Sequence, residues 1–178
     1  MPVVGVGAFR PQTDIIFEAN YEGANCEQVY WVKDSVYEVW LRCDSNTFDT
    51  TWFDFKMKTQ KYVPKVKLRI CNLSREQCPM SFGVRPAFRS KQLESQTGVA
   101  WYFSGNSLSF KQVDERRIQD INLYNPHVRR TYFQFEFDFH FPKPDPNAGF
   151  QGDEVRCAMQ VPYTYSKLLS HLNELMLL

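Results

Sequence analysis

His171 and Glu174, spaced H-x-x-E near the carboxyl end, are the residues whose types and spacing most resemble a reactive site. Residues three apart on a helix are neighbours, so an imidazole and a carboxylate at this spacing can face one Zn²⁺. A catalytic zinc needs three protein ligands and an open position. The other histidines are His127, in an Asn-Pro-His loop, and His140, on the polar side of a phenylalanine-rich strand, and nothing in their spacing joins them to the pair. Leu175 to Leu178, which follow the pair, contain no ligand. A solvated pair on a helix surface is the ordinary account of His171 and Glu174. Glu136 and Asp138 share one face of a strand, which suits acid/base chemistry, a hard cation, or simply an outer sheet face in water. No G-x-S-x-G elbow is present, no cysteine stands in a thiol-protease context, and Gly5-x-Gly7 lacks the third glycine, the lysine and the preceding strand of a phosphate loop.

The elements that must carry these residues are mostly strands. Period-2 stretches of strand length run over Gln28–Lys33, Val36–Cys43, Trp52–Lys58, Lys65–Leu73, Ser81–Phe88, Ala100–Phe103, Ser107–Val113, Thr131–Phe141 and Glu154–Val161. In the clearest, Phe133, Phe135, Phe137, Phe139 and Phe141 share one face, and Gln134, Glu136, Asp138 and His140 point the other way. Short connections such as Asp34-Ser35 leave no room for crossover helices, so neighbouring strands are expected to pair antiparallel. Asp114–Arg130 is a polar connection with room for a short helix, and Pro142–Asp153 reads as a loop over a strand edge. One helix is predicted from Thr164, with Tyr165, Leu168, Leu169, Leu172, Leu175 and Met176 on one face and Glu174 nearly opposite. An apolar ending of this kind is expected to be covered, by more chain or by a partner.

Composition narrows the class. A chain of 178 residues suits one domain, and 16% aromatic residues suit a sheet-rich core that takes up Trp31, Trp40, Trp52 and Trp101 rather than displaying them for stacking on ligands. A net charge of +1 gives no global field for nucleic acid or an anionic membrane, and the pairs Arg116-Arg117 and Arg129-Arg130 read as solvated loop residues. Five cysteines without C-x-x-C spacing favour reduced thiols in the cytoplasm over disulfides or structural zinc. The amino-terminal stretch has no basic n-region or full apolar h-region, and no run reaches the length of a membrane span.

Pro162-Tyr163-Thr164-Tyr165-Ser166, running into Lys167–Leu172, resembles the end of the domain that precedes the catalytic domain in cytosolic carboxypeptidases of the M14 metallopeptidase family. Blocks similar to that family follow in order from Phe17–Asn25 through Trp52–Phe55, Val66–Leu73, Gly83–Pro86, Trp101–Phe110 and Phe135–Pro142. The resemblance implies an amino-terminal antiparallel β-sandwich followed by a zinc carboxypeptidase domain that removes carboxy-terminal residues, often glutamates of tubulin or other acidic tails. The family's own H-x-x-E lies downstream of this domain, so no catalytic role, metal ligand or cofactor carries over to His171 or Glu174, and zinc is expected only in the catalytic domain. Gln160-Val161 stands where relatives commonly have an aromatic, and Pro142–Pro146 is proline-rich, which separates this chain from its relatives locally.

The expectation is an all-β antiparallel sandwich over residues 14–163, a flexible segment over 1–13, and a helix over 164–178 leading toward a catalytic domain. Pro162 to Ser166 form the seam, with Tyr163 or Tyr165 packed inward, and Leu175 and Met176 contact the partner domain. A free-standing interaction module is the alternative.

Overall fold

A computed structural model describes residues 3–5, 14–43, 49–113, 131–144 and 152–176. Eleven strands form two sheets among these residues. The first sheet has the order β1 (Val3–Gly5), β3 (Gln28–Lys33), β4 (Val36–Trp40), β6 (Lys65–Leu73), β10 (Phe133–His140), β9 (Asn106–Gln112). The second runs β2 (Ile15–Glu18), β5 (Asp54–Thr59), β11 (Asp153–Ala158), β7 (Ala87–Ser90), β8 (Tyr102–Phe103). Two helices complete the described fold, α1 (Lys91–Thr97) and α2 (Tyr165–Met176), beside a 3-10 turn at Pro79–Phe82.

The sheets share one core, and aromatic side chains from both meet in it. Phe88 of β7 stacks on Phe139 of β10 with ring centroids 4.1 Å apart, and Phe17 of β2 meets Tyr37 of β4 at 5.1 Å. All five phenylalanines of the alternating series from Phe133 to Phe141 are buried, as the period-2 pattern requires. Each such burial contributes roughly 1.5–3 kcal/mol of transfer free energy. Trp40 is buried, and Trp31 and Trp52 pack half-buried against the core with their indole N–H groups donating to the carbonyls of Asp34 and Gly23.

Several expectations change in the folded chain. β4 and β6 pair parallel, because the chain crosses to the second sheet at β5 and returns, so β6 re-enters in the direction of β4. The stretch Ser81–Phe88 is not a single strand. Pro79 opens a 3-10 turn there, the Ser81 hydroxyl donates to the Cys78 carbonyl, and Gly83 closes the turn at φ 79° before β7 begins at Ala87. α1 was not expected, although Ser90 caps it by accepting from the Leu93 amide and Gly98 ends it in the left-handed region. β2 was also missed, and Val3–Gly5, placed in a flexible segment by sequence, pairs antiparallel with Gln28–Tyr30. The Asp114–Arg130 connection, with His127 and both arginine pairs, lies outside the described residues, as do Gly7 and most of the 142–153 loop.

The outer face of the first sheet is polar but not freely solvated. Across β4, β6 and β10, ion pairs link Glu38 to Arg69 at 3.4 Å, Arg69 to Glu136 at 2.5 Å, Lys67 to Glu136 at 3.1 Å and Lys65 to Asp138 at 2.8 Å. Glu136 and Asp138 are therefore engaged by cations of β6. Burial opposes ionisation of both, yet hydrogen bonds from Arg69 and Lys67 to Glu136, and from Lys65 to Asp138, hold each carboxyl below its ordinary range. They carry no shared proton and act as ladder partners.

Candidate functional site

The base of α2 is where the two ends of the chain meet. Thr164 precedes the helix, and its hydroxyl accepts from the Lys167 amide at 3.4 Å, one of the amide groups that a helix start leaves without a partner. Lys167 cannot complete a capping box with a side-chain acceptor. A second amide of the helix start finds its acceptor from across the chain, as Glu22 takes the Ser166 amide at 2.9 Å. That hydrogen bond pulls the Glu22 carboxyl below its usual range. Gly23 follows with φ 80°, a left-handed conformation that suits glycine, and the space beside its Cα faces the Thr164 methyl.

The same amino-terminal turn anchors a second cluster. The Tyr21 hydroxyl donates to Asp54 at 2.7 Å, and Arg156 grips the Asp54 carboxylate through Nε at 2.8 Å and Nη2 at 2.5 Å. Asp54 is fully buried, so this bidentate pair and the phenol supply the hydrogen bonds that water would have given. Burial, and then the neighbouring carboxylate, push the Tyr21 phenol upward, which keeps it a donor. Arg156 lies 4.6 Å from the Tyr21 ring and 5.6 Å from Trp101, so the guanidinium is fixed on its flat sides as well as at its edge.

The seam itself differs from expectation at the tyrosines. Pro162 is buried, whereas Tyr163 and Tyr165 are 59% and 67% exposed, so neither packs inward. Tyr163, next to the buried proline, points outward, and its phenol oxygen sits 3.2 Å from His171 Nδ1 on α2. His171 thus meets a tyrosine, and Glu174 is exposed. His140 contacts Asn106. No group of three His, Cys, Asp or Glu residues among the described ones is arranged to hold a metal ion. The five cysteines, all described, form no disulfide. None of the described helices is long and apolar enough to cross a membrane.

The apolar face of the helix is exposed. Leu168, Leu169, Leu172, Leu175 and Met176 are all exposed, Met176 at 76%, and no residue of α2 is buried. Glu22 and Arg156 had not been singled out from sequence. Glu22 lies within the Phe17–Asn25 block, and Arg156 carries no sequence signal beyond its place in a strand.

The family model of the cytosolic carboxypeptidase N-terminal domain matches residues 17–124. The chain belongs to that family. The N-terminal domain is similar to cytosolic carboxypeptidase 4 of Mus musculus, with 22% identity over 161 residues that cover 89% of this chain and 13% of that protein. It is also similar to cytosolic carboxypeptidase 2 of Danio rerio, with 24% identity over 166 residues that cover 93% of this chain and 21% of that protein. The chain therefore spans about a fifth or less of the curated relatives' length. Among solved structures, a metallo-carboxypeptidase from Burkholderia cenocepacia shares the fold of this N-terminal domain. Its TM-score is 0.55 at 11% identity, over 93% of this chain and 34% of that one.

Proposed function

We propose that this chain is the non-catalytic domain preceding the zinc carboxypeptidase domain of a cytoplasmic enzyme, and that it supports that domain's folding or shapes access to its cleft. The carrying observation is α2, a helix of about 18 Å with no buried residue and an exposed apolar face that is most open at Leu175 and Met176. Leu175 and Met176 are the residues assigned to the contact with the following domain, and Pro162 to Ser166 form the seam that aims the helix at it. The parent removes carboxy-terminal residues, with glutamates of tubulin or other acidic tails as candidate substrates. On this reading zinc belongs to the catalytic domain, and no zinc ligand or general base is assigned to the present chain.

Reading the natural transcript beyond the codon for Leu178 tests this directly. An open frame with a new H-x-x-E, a later arginine and a distant histidine supports the accessory-domain reading. A stop codon overturns it and leaves a free-standing interaction module.

A further inference from the structure

We infer that the outer face of the second sheet holds a binding cleft for a compact oxyanion, a carboxylate or phosphate group, gripped by Lys56, Arg89, Lys91 and Arg156. The inference goes beyond the accessory-domain reading and does not rest on it.

The cleft has a volume of about 260 Å³ and is lined by those four cations and Glu154. Its floor is a row of three cations in register. Arg156 of β11 stands directly opposite Lys56 of β5 on one side and Arg89 of β7 on the other. Like charges facing each other on antiparallel strands destabilise a sheet, so such a row calls for counter-anions. The fold supplies them incompletely. Asp54, two residues from Lys56 on the same face of β5, binds Arg156 at 2.8 Å, and Glu94 binds Arg89 from α1 at 2.8 Å and 2.9 Å. Lys56 and Lys91 then converge on a single oxygen of Glu154, Oε1, each at 3.2 Å, while Lys58 approaches Oε2 at 3.5 Å. One carboxylate thus serves three ammonium groups; Lys58 has a closer partner in Glu18 at 2.7 Å, and Lys56 also lies 4.9 Å over the Tyr21 ring.

The arrangement is also preorganised. Arg156 is immobilised by Asp54, Tyr21 and Trp101, so a ligand meets it already oriented. Arg89 and Lys91 stand at the mouth, with side chains 46% and 70% exposed, and each retains N–H groups for an incoming oxygen. A guanidinium paired with flexible ammonium groups matches the fork of a carboxylate or phosphate. The carboxylates of Glu18 and Glu94 at its borders separate the cleft from any extended basic track that nucleic acid would need.

The test is titration of this chain at low ionic strength, near pH 7, with inorganic phosphate and separately with a glutamyl-glutamate dipeptide, followed by backbone amide shifts at residues 56, 89, 91 and 156. Saturable one-to-one binding of either probe is expected, weakened at least tenfold by Arg89→Gln combined with Lys91→Gln and unchanged by Lys33→Gln on the other sheet. Should the double variant fail to fold, Lys91→Gln alone is read, with a several-fold loss expected. Binding of phosphate alone, dipeptide alone or both supports the cleft and identifies the group it takes. Absence of saturable binding by both probes, or equal weakening in the Lys33 variant, overturns it.

Discussion

The Glu22 carboxylate accepts the Ser166 amide at 2.9 Å across 144 residues of sequence. A residue far back in the sequence thereby adds a second cap to the helix start that Thr164 caps locally. The Gly23–Thr164 approach and the Tyr163–His171 contact act on the same junction between the sandwich and α2. The cap is exposed, so its effect is on the local order of the helix start rather than on global stability.

Glu22→Gln is therefore expected to speed hydrogen exchange at the Ser166 to Leu169 amides by several-fold while leaving the melting temperature of the sandwich nearly unchanged. Acidification should act in the same way. Because folding depresses the Glu22 carboxyl, the cap is fully present above the ordinary glutamate range and lost as pH falls through the depressed value. Exchange at these amides that is unaltered by both treatments would show that Thr164 alone starts the helix.

Removing Arg156 has a different consequence, since it strands a buried charge. Arg156→Ala leaves Asp54, with no solvent exposure, holding only the Tyr21 hydroxyl, and a loss of about 3–5 kcal/mol is expected in urea unfolding. Tyr21→Phe removes one hydrogen bond to the same carboxylate and is expected to cost about 2 kcal/mol. A larger loss for the tyrosine than for the arginine would contradict this order.

Phe137→Ala, at the centre of the shared core, is expected to destabilise by about 3–5 kcal/mol. Replacing both Tyr163 and Tyr165 by alanine should shift stability by no more than about 0.5 kcal/mol for each site, because both rings are in water. Thermal melts of the two variants give the comparison.

On the accessory-domain reading, Leu172→Lys and Met176→Ser leave the stability of this chain unchanged and reduce its self-association in sedimentation runs, since the face they alter covers nothing within the sandwich. The chain alone should fold and release no carboxy-terminal glutamate, with or without added zinc. Zinc-dependent release of glutamate by this chain would defeat the reading.

Most of the strands were legible because a half-buried strand writes its burial into every second residue. Phe133 to Phe141 displays this pattern, and the Asp34-Ser35 turn marks the hairpin between β3 and β4, with Asp34 taking a positive φ of 45°. The amphipathic face of α2 was legible for the same reason at a helical period. What sequence could not decide was which strands share a sheet. The parallel pairing of β4 with β6 depends on the excursion of β5, and the burial of Asp54 depends on Arg156 arriving 102 residues later. The likeness of Phe17–Asn25 and Pro162–Ser166 to one family was visible in the residues themselves, but their meeting at Glu22 and Ser166 was not. Local periodicity follows from each segment's own contact with a core, whereas long-range partners depend on how the chain closes its sheets, and only the tertiary structure fixes that.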